Sequence, residues 1–246
     1  KVNYIYTELM GCETYLAESI EVAEAAKVLE NTQRDLNLAL VNECVHIFSK
    51  MNIVANQVID AASTKWNFMD VRPGLVGGHC IGVDPYYLTA KSEELGYNPE
   101  VVLAGRRIND GFPRWLAKEA LFELIRKLDN GLTDIDTNKI AFVIGVTFKA
   151  NCKDTRNSKS VDLIDQLCRL GLQVFWNDPV VDKKYSVDNA CKCDMAKMVQ
   201  LKPSIVFITV GHDELRNTFK DDLETIVDSA KVVYDIPRIL VDKRDN

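Results

Sequence analysis

Residues 72–88, Arg-Pro-Gly-Leu-Val-Gly-Gly-His-Cys-Ile-Gly-Val-Asp-Pro-Tyr-Tyr-Leu, concentrate reactive side chains in a short span. Glycines 74, 77, 78 and 82 let the backbone take positive φ and approach a ligand closely. Cys80, four residues before Asp84 in that loop, is a candidate nucleophile. Taken alone, it reads more readily as a small residue buried in a glycine-rich turn. Upstream, Lys27 and Asn31 stand four residues apart in a helical pattern, so an ammonium and a carboxamide share one face. By spacing alone that is an ordinary solvated pair. His46 has no second ligand four residues away, and Cys191 and Cys193 lack a second pair at zinc spacing, so no metal site is expected.

The pattern of the chain predicts the elements that must position these groups. Residues 14–62 carry apolar side chains at three- and four-residue steps without proline, which predicts one long helix or two with a break near 50–52. Its apolar stripe needs a partner within the chain or across a dimer. Residues 87–96 and 99–109 read as helices, and Pro113 as the first turn of another running to Leu128. Asn130-Gly131 should end that helix, with 133–138 as a linker. From Lys139 the character changes. Runs 140–147, 173–176, 204–210 and 231–235 read as buried strands, with helices at 158–170, 190–201 and 219–229. That alternation predicts an open parallel α/β sheet. The expected fold class is therefore α/β: an all-helical domain over 1–132, bearing the cysteine loop, then a Rossmann-like domain over 133–246. The sheet's first turn carries Gly145 alone, not Gly-x-Gly-x-x-Gly, so it is not expected to bind a dinucleotide.

Composition narrows the partners. A net charge of −6 over 246 residues argues against nucleic acid held by bulk electrostatics. No apolar run approaches the roughly 20 residues that span a bilayer, and the first residues do not read as a signal peptide. Seven scattered cysteines fit a reducing, cytoplasmic setting.

Taken together, Lys27-x3-Asn31, Gly77-Gly78-His79-Cys80-x3-Asp84, Phe148-Lys149, Asp154-Thr155-Arg156-x-Ser158 and Asn177-Asp178-Pro179 resemble the UDP-glucose/GDP-mannose dehydrogenase family, in order and over essentially the whole chain. Glu30–Asp35 and Gly74–Leu88 are similar to the branch that oxidises UDP-N-acetylhexosamines for bacterial surface polysaccharides such as capsule and O-antigen. The resemblance implies an NAD-dependent, four-electron oxidation of the C6 alcohol to a carboxylate. Cys80 would add to the intermediate aldehyde and pass through a thioester, with Lys27 and Asn31 serving the oxyanion and Asp84 the water. Arg72, Gly74, Gly77, Gly78 and His79 would line the sugar nucleotide, and Phe148, Lys149 and Arg238 would hold it from the second domain. His79 reads as shaping the loop or reading the N-acetyl group, with a general base as the other possibility. Arg156 would reach NAD, although its position also suits a helix-end salt bridge. The family's long central helix implies a homodimer. NAD itself is expected on an N-terminal domain of roughly 150–200 residues, which together with its catalytic glutamate is not found in these 246; Tyr15-Leu-Ala-Glu18 lies too close to the long helix to be that motif. The expected alternative is a UDP-sugar-binding, dimerising piece that does not turn over alone.

Overall fold

The computed structural model describes residues 2–11, 13–128 and 139–240. The helical part opens with α1 (Val2–Met10) and α2 (Ile20–Lys50). The Ser19 side chain caps α2 by accepting the Val22 amide at 3.3 Å, so this helix begins at 20 rather than at 14. The break expected near 50–52 is present: α2 stops at Lys50, Asn52 takes φ +55°, and α3 (Ala55–Ala62) follows. Next come α4 (Asp84–Glu94), beginning at Asp84 rather than 87, and α5 (Glu100–Lys127).

Helix α5 corrects the expectation of two helices meeting at Pro113. It is one 28-residue element with Pro113 buried inside it. A proline there removes one backbone hydrogen bond, and packing on both sides of it holds the helix together. Upstream, a Cβ on Gly105 would come 2.5 Å from Leu36 Cδ2, so α5 crosses α2 in close contact. Between them lies a buried polar chain: Arg106 donates to Asp35 at 2.6 Å, and Asn109 donates to the Asp35 carboxylate at 2.8 Å. Downstream, Leu116, Ala117, Ala120 and Leu124 belong to the core of the sheet. The helix thus spans both halves of the molecule. The expected domain limit at 132/133, the stop at Asn130-Gly131 and the linker fall outside the described residues.

The second half is a parallel five-stranded sheet ordered β3-β2-β1-β4-β5. Its strands are β1 (Ile140–Ile144), β2 (Gln173–Asn177), β3 (Cys191–Lys192), β4 (Ile205–Ile208) and β5 (Val232–Asp235). The connecting helices are α6 (Lys159–Arg169), α7 (Met195–Leu201), α8 (Asp213–Asn217) and α9 (Lys220–Ser229). The 190–201 stretch, expected as helix throughout, first contributes the edge strand β3. Alternating residues feed opposite faces. Ala141, Val143, Ile205 and Phe207 meet α5 and α6, while Phe142, Ile144, Val206 and Ile208 meet α7 and α9. Burial on both faces is why these strands read as unbroken apolar runs. No described helix is long and apolar enough to cross a membrane.

Candidate functional site

Lys27 and Asn31, 53 or more residues from Asp84 in sequence, converge on its carboxylate. Lys27 Nζ lies 2.5 Å from Asp84 Oδ2, and Asn31 Nδ2 donates to the same oxygen at 2.8 Å. Asp84 is placed for this by opening α4, where its backbone amide donates to the Cys80 carbonyl at 2.7 Å. That turn holds Cys80 one turn before the helix, with its residue exposed. The Asp84 hydrogen bond pushes the Lys27 ammonium above the ordinary lysine range; partial desolvation works against it, and nearby Cys80 adds to it. The Lys27 side chain is 59% exposed and Asp84 12%, so the cluster opens outward from a buried base. Asn31 is buried, and its amide is divided between Asp84 and the Lys27 carbonyl at 3.2 Å. In this arrangement it braces Asp84 rather than offering a spare donor.

The glycine-rich segment lies across the C-terminal ends of the strands, the usual crevice for ligands of open α/β sheets. Asn42 Nδ2 donates to the Gly74 carbonyl at 3.0 Å, and the Gly74 amide donates back to Asn42 Oδ1 at 2.9 Å. A Cβ on Gly74 would sit 3.8 Å from Ile236, just beyond β5. At the far end, a Cβ on Gly77 would lie 2.3 Å from the Asn157 carbonyl oxygen. Gly78, at φ +89°, has the Phe148 ring 2.7 Å from its missing Cβ. Those two glycines let the loop dock on the turn after β1. His79 completes the joint: its Nε2 is 2.8 Å from Asp154 Oδ2, and its ring meets Phe148 edge-on at 5.5 Å. Lys149 is exposed, with Nζ 5.4 Å from the Phe148 ring centroid. Arg156 sits in the salt bridge its position allowed, with Nη2 2.7 Å from Asp154 Oδ2.

Arg72 and Arg238 are brought together by a residue the sequence did not single out. Asp60 of α3 pairs with both, Arg238 Nη1 at 3.1 Å, and Arg72 is also 2.7 Å from Asp70. A second network, joining Asp178 of the Asn-Asp-Pro motif to the unforeseen His212, lies beside the turn after β1. Asp178 Oδ2 accepts the Val146 and Thr147 amides at 2.7 and 3.1 Å, and Oδ1 accepts those of Val180 and Val181 at 3.0 and 3.1 Å. His212 Nε2 lies 3.1 Å from Oδ2, while its Nδ1 accepts the Asn151 amide at 3.0 Å, which assigns the proton to Nε2. Burial would raise Asp178, but these donors, His212 foremost, hold it below the usual carboxylate range. The Asn-Asp-Pro at the end of β2 was a signal for Asp178; nothing local marked His212.

Two cavities adjoin these groups. One of about 430 Å³ is lined by Val76, Gly77, Gly78, Gly82, Tyr86 and Lys159, beside the cysteine loop. The other, about 360 Å³, runs along β5 and α5 and touches the arginine pair only through Arg238. The turn after β1 carries Gly145 as its one glycine, where the dinucleotide cradle uses Gly-x-Gly-x-x-Gly, so its residues do not fit that group. Gly145, at φ +95°, packs against the loop after β4, with Val210 Cβ 2.6 Å and Val210 N 2.8 Å from where its own Cβ would be. Among the described residues no cluster of His, Cys, Asp and Glu could hold a metal ion.

Two models of one family match the chain: residues 21–111 match the UDP-glucose/GDP-mannose dehydrogenase family, central domain, and residues 142–242 match that family's UDP binding domain. Protein CapL of Staphylococcus aureus is 44% identical over 96% of this chain and 54% of its own length. UDP-N-acetyl-D-glucosamine 6-dehydrogenase of Pseudomonas aeruginosa is 41% identical over 99% of this chain and 57% of its own. Among solved structures, the native UDP-N-acetyl-mannosamine dehydrogenase Cap5O of Staphylococcus aureus superposes with a TM-score of 0.72 at 27% identity, over 97% of this chain and 52% of that one. The chain therefore spans about half the length of the curated relatives it matches.

Proposed function

This chain belongs to the UDP-glucose/GDP-mannose dehydrogenase family, and from that premise we propose that it provides the thiol centre and nucleotide-binding sheet of an NAD-dependent UDP-N-acetylhexosamine 6-dehydrogenase. The observation that carries the reading is the meeting of Lys27, Asn31 and Asp84 beside an exposed Cys80. Relatives at 40–41% identity named UDP-N-acetyl-D-glucosamine 6-dehydrogenase support the substrate class.

In this reading Cys80 Sγ attacks the C6 aldehyde and forms a carbon–sulfur bond. The Lys27 ammonium, kept protonated by Asp84, balances the oxyanion. NAD, when bound, would accept the hydrides, and the family resemblance makes Arg156 the residue that would reach it. Water then releases the thioester as the carboxylate and restores the thiol. Asp84 serves that step by holding Lys27 and orienting the water. The glycine segment and the turn carrying Phe148 and Lys149 hold the UDP moiety, with Arg72 and Arg238 at the β5 end. Exposed Val22, Leu29, Leu40 and Ile47 on α2 support a homodimer through that helix.

The test uses a protein carrying these residues together with a dinucleotide-binding domain. It should yield two NADH and one uronate per UDP-N-acetylhexosamine, and Cys80→Ser should form no uronate. Uronate production without the thiol overturns the reading. The 246 residues alone should bind the UDP-sugar without reducing NAD; failure to bind it removes the substrate assignment.

A further inference from the structure

The joint between the cysteine loop and the sheet has one side chain that serves both sides. Asp154, on the turn after β1, takes Arg156 Nε at 3.0 Å on Oδ1 and Arg156 Nη2 at 2.7 Å on Oδ2. The Arg156 backbone amide adds a bond to Oδ1 at 2.9 Å. His79 Nε2 shares Oδ2 at 2.8 Å. The main chain of Asp154 is fastened too, since its carbonyl accepts the Phe148 amide at 3.1 Å beneath the His79 ring. Arg156 above all, with its amide and His79, holds the Asp154 carboxyl well below the usual carboxylate range. A permanent carboxylate only accepts hydrogen bonds, so the proton of this contact resides on His79 Nε2. That nitrogen is committed to the second half of the molecule and is not free to act as a base at the neighbouring Cys80.

We propose that Asp154 is a positioning residue. Through His79 it sets where the loop presents Cys80, through Arg156 it sets the direction of that guanidinium, and the two ends of the site therefore move together. The inference rests on the reading of Cys80 as the nucleophile. It is separable from folding because Gly77 and Gly78 dock the same loop by contacts that do not involve Asp154. His79 and Arg156 side chains are 39% and 75% exposed, so their contacts with Asp154 contribute little to stability. Their geometry is what matters, since misplacing reacting groups by about 1 Å can cost on the order of 100-fold in rate.

The experiment is a double-mutant cycle on Asp154→Asn and His79→Asn in the protein that also carries its dinucleotide-binding domain. Asparagine keeps the shape but offers one acceptor oxygen in place of two. Each single change should lower kcat on the order of 10- to 100-fold with KM for the UDP-sugar little altered, and the double variant should be no worse than the weaker single. In the 246-residue chain, nitrogen NMR of His79 should show the Nε2–H form, and Asp154→Asn should alter that signal. Wild-type kcat in Asp154→Asn, multiplicative losses, or a loss explained by a lowered Tm each overturn the inference. Cys80→Ser keeps the two questions apart: if it stays active the nucleophile reading itself fails, whatever Asp154 does.

Discussion

Asp84 and Asp178 are both low-exposure carboxylates that meet a nitrogen base at the edge of a loop, yet they do different work. Asp178 and His212 are fully buried, and four backbone amides saturate the two carboxylate oxygens. Nothing is left over for a ligand. Asp84 has a buried brace in Asn31, but its other partner is an ammonium 59% exposed beside a thiol. A closed network stabilises a crossing of three loops; an open one leaves a charge for chemistry. Exposure of the partner, not the type of contact, separates the structural pair from the reactive one.

The largest effect that could break this contrast is on rate. Lys27→Met should cost about 10²–10³-fold in kcat of the NAD-domain-bearing protein, with the thermal midpoint unchanged, as paired activity and calorimetry would show. Should its Tm fall as far as that of an Asp178 variant, the distinction between the two clusters is lost. Asp178→Asn should instead cost about 3 kcal/mol of stability, measured by urea unfolding of the 246-residue chain, because amide hydrogens would then face donors. Its pH dependence carries a sign. The folded Asp178 pKa lies below its unfolded value, so its contribution is complete above the unfolded pKa of about 3.9 and is lost as pH falls through the folded one. Stability of the variant should therefore fall less steeply over that acid range than the parent's.

Between the clusters lies the glycine joint. Gly77→Ala would set a methyl 2.3 Å from the Asn157 carbonyl, and separating the loop from the sheet should cost about 1–3 kcal/mol while lowering Cys80-dependent turnover. A variant with unchanged stability and turnover would show that the joint is looser than described. The last change is read as a shift in profile, beside the rate lost with the water-orienting carboxylate. Asp84→Asn removes the main cause of the raised Lys27 pKa, so the alkaline limb of the pH–rate curve should move to lower pH. An unmoved limb would mean that Asp84 does not set the charge of Lys27.

Much of the fold was legible because the signals are local. Apolar periods of two and of three to four residues located the parallel sheet, α2 and its break, and Gly96 and Gly171 marked stops within about two residues of the observed ends. Pro113 misled for a definable reason: proline starts helices more readily than it sits inside them, and only packing against α2 on one side and the sheet on the other keeps α5 continuous. At the site, Cys80, Asp84, Lys27 and Asn31 could be named from spacing and resemblance. The pairings elsewhere could not: Asp60 with Arg72 and Arg238, Asp154 with His79, and His212 with Asp178 act across separations of 12 to 178 residues.

The sequence alone determined which groups are available: a thiol in a glycine loop, an ammonium and amide on one helical face, and a sheet whose first turn lacks a dinucleotide fingerprint. Residue type and near-neighbour spacing suffice for that. Tertiary structure decided how each group is engaged. It committed Asn31 to bracing Asp84, His79 to Asp154, and Arg72 with Arg238 to Asp60. Hydrogen bonds and ion pairs act over about 3 Å, and only the folded chain brings residues far apart in sequence within that distance.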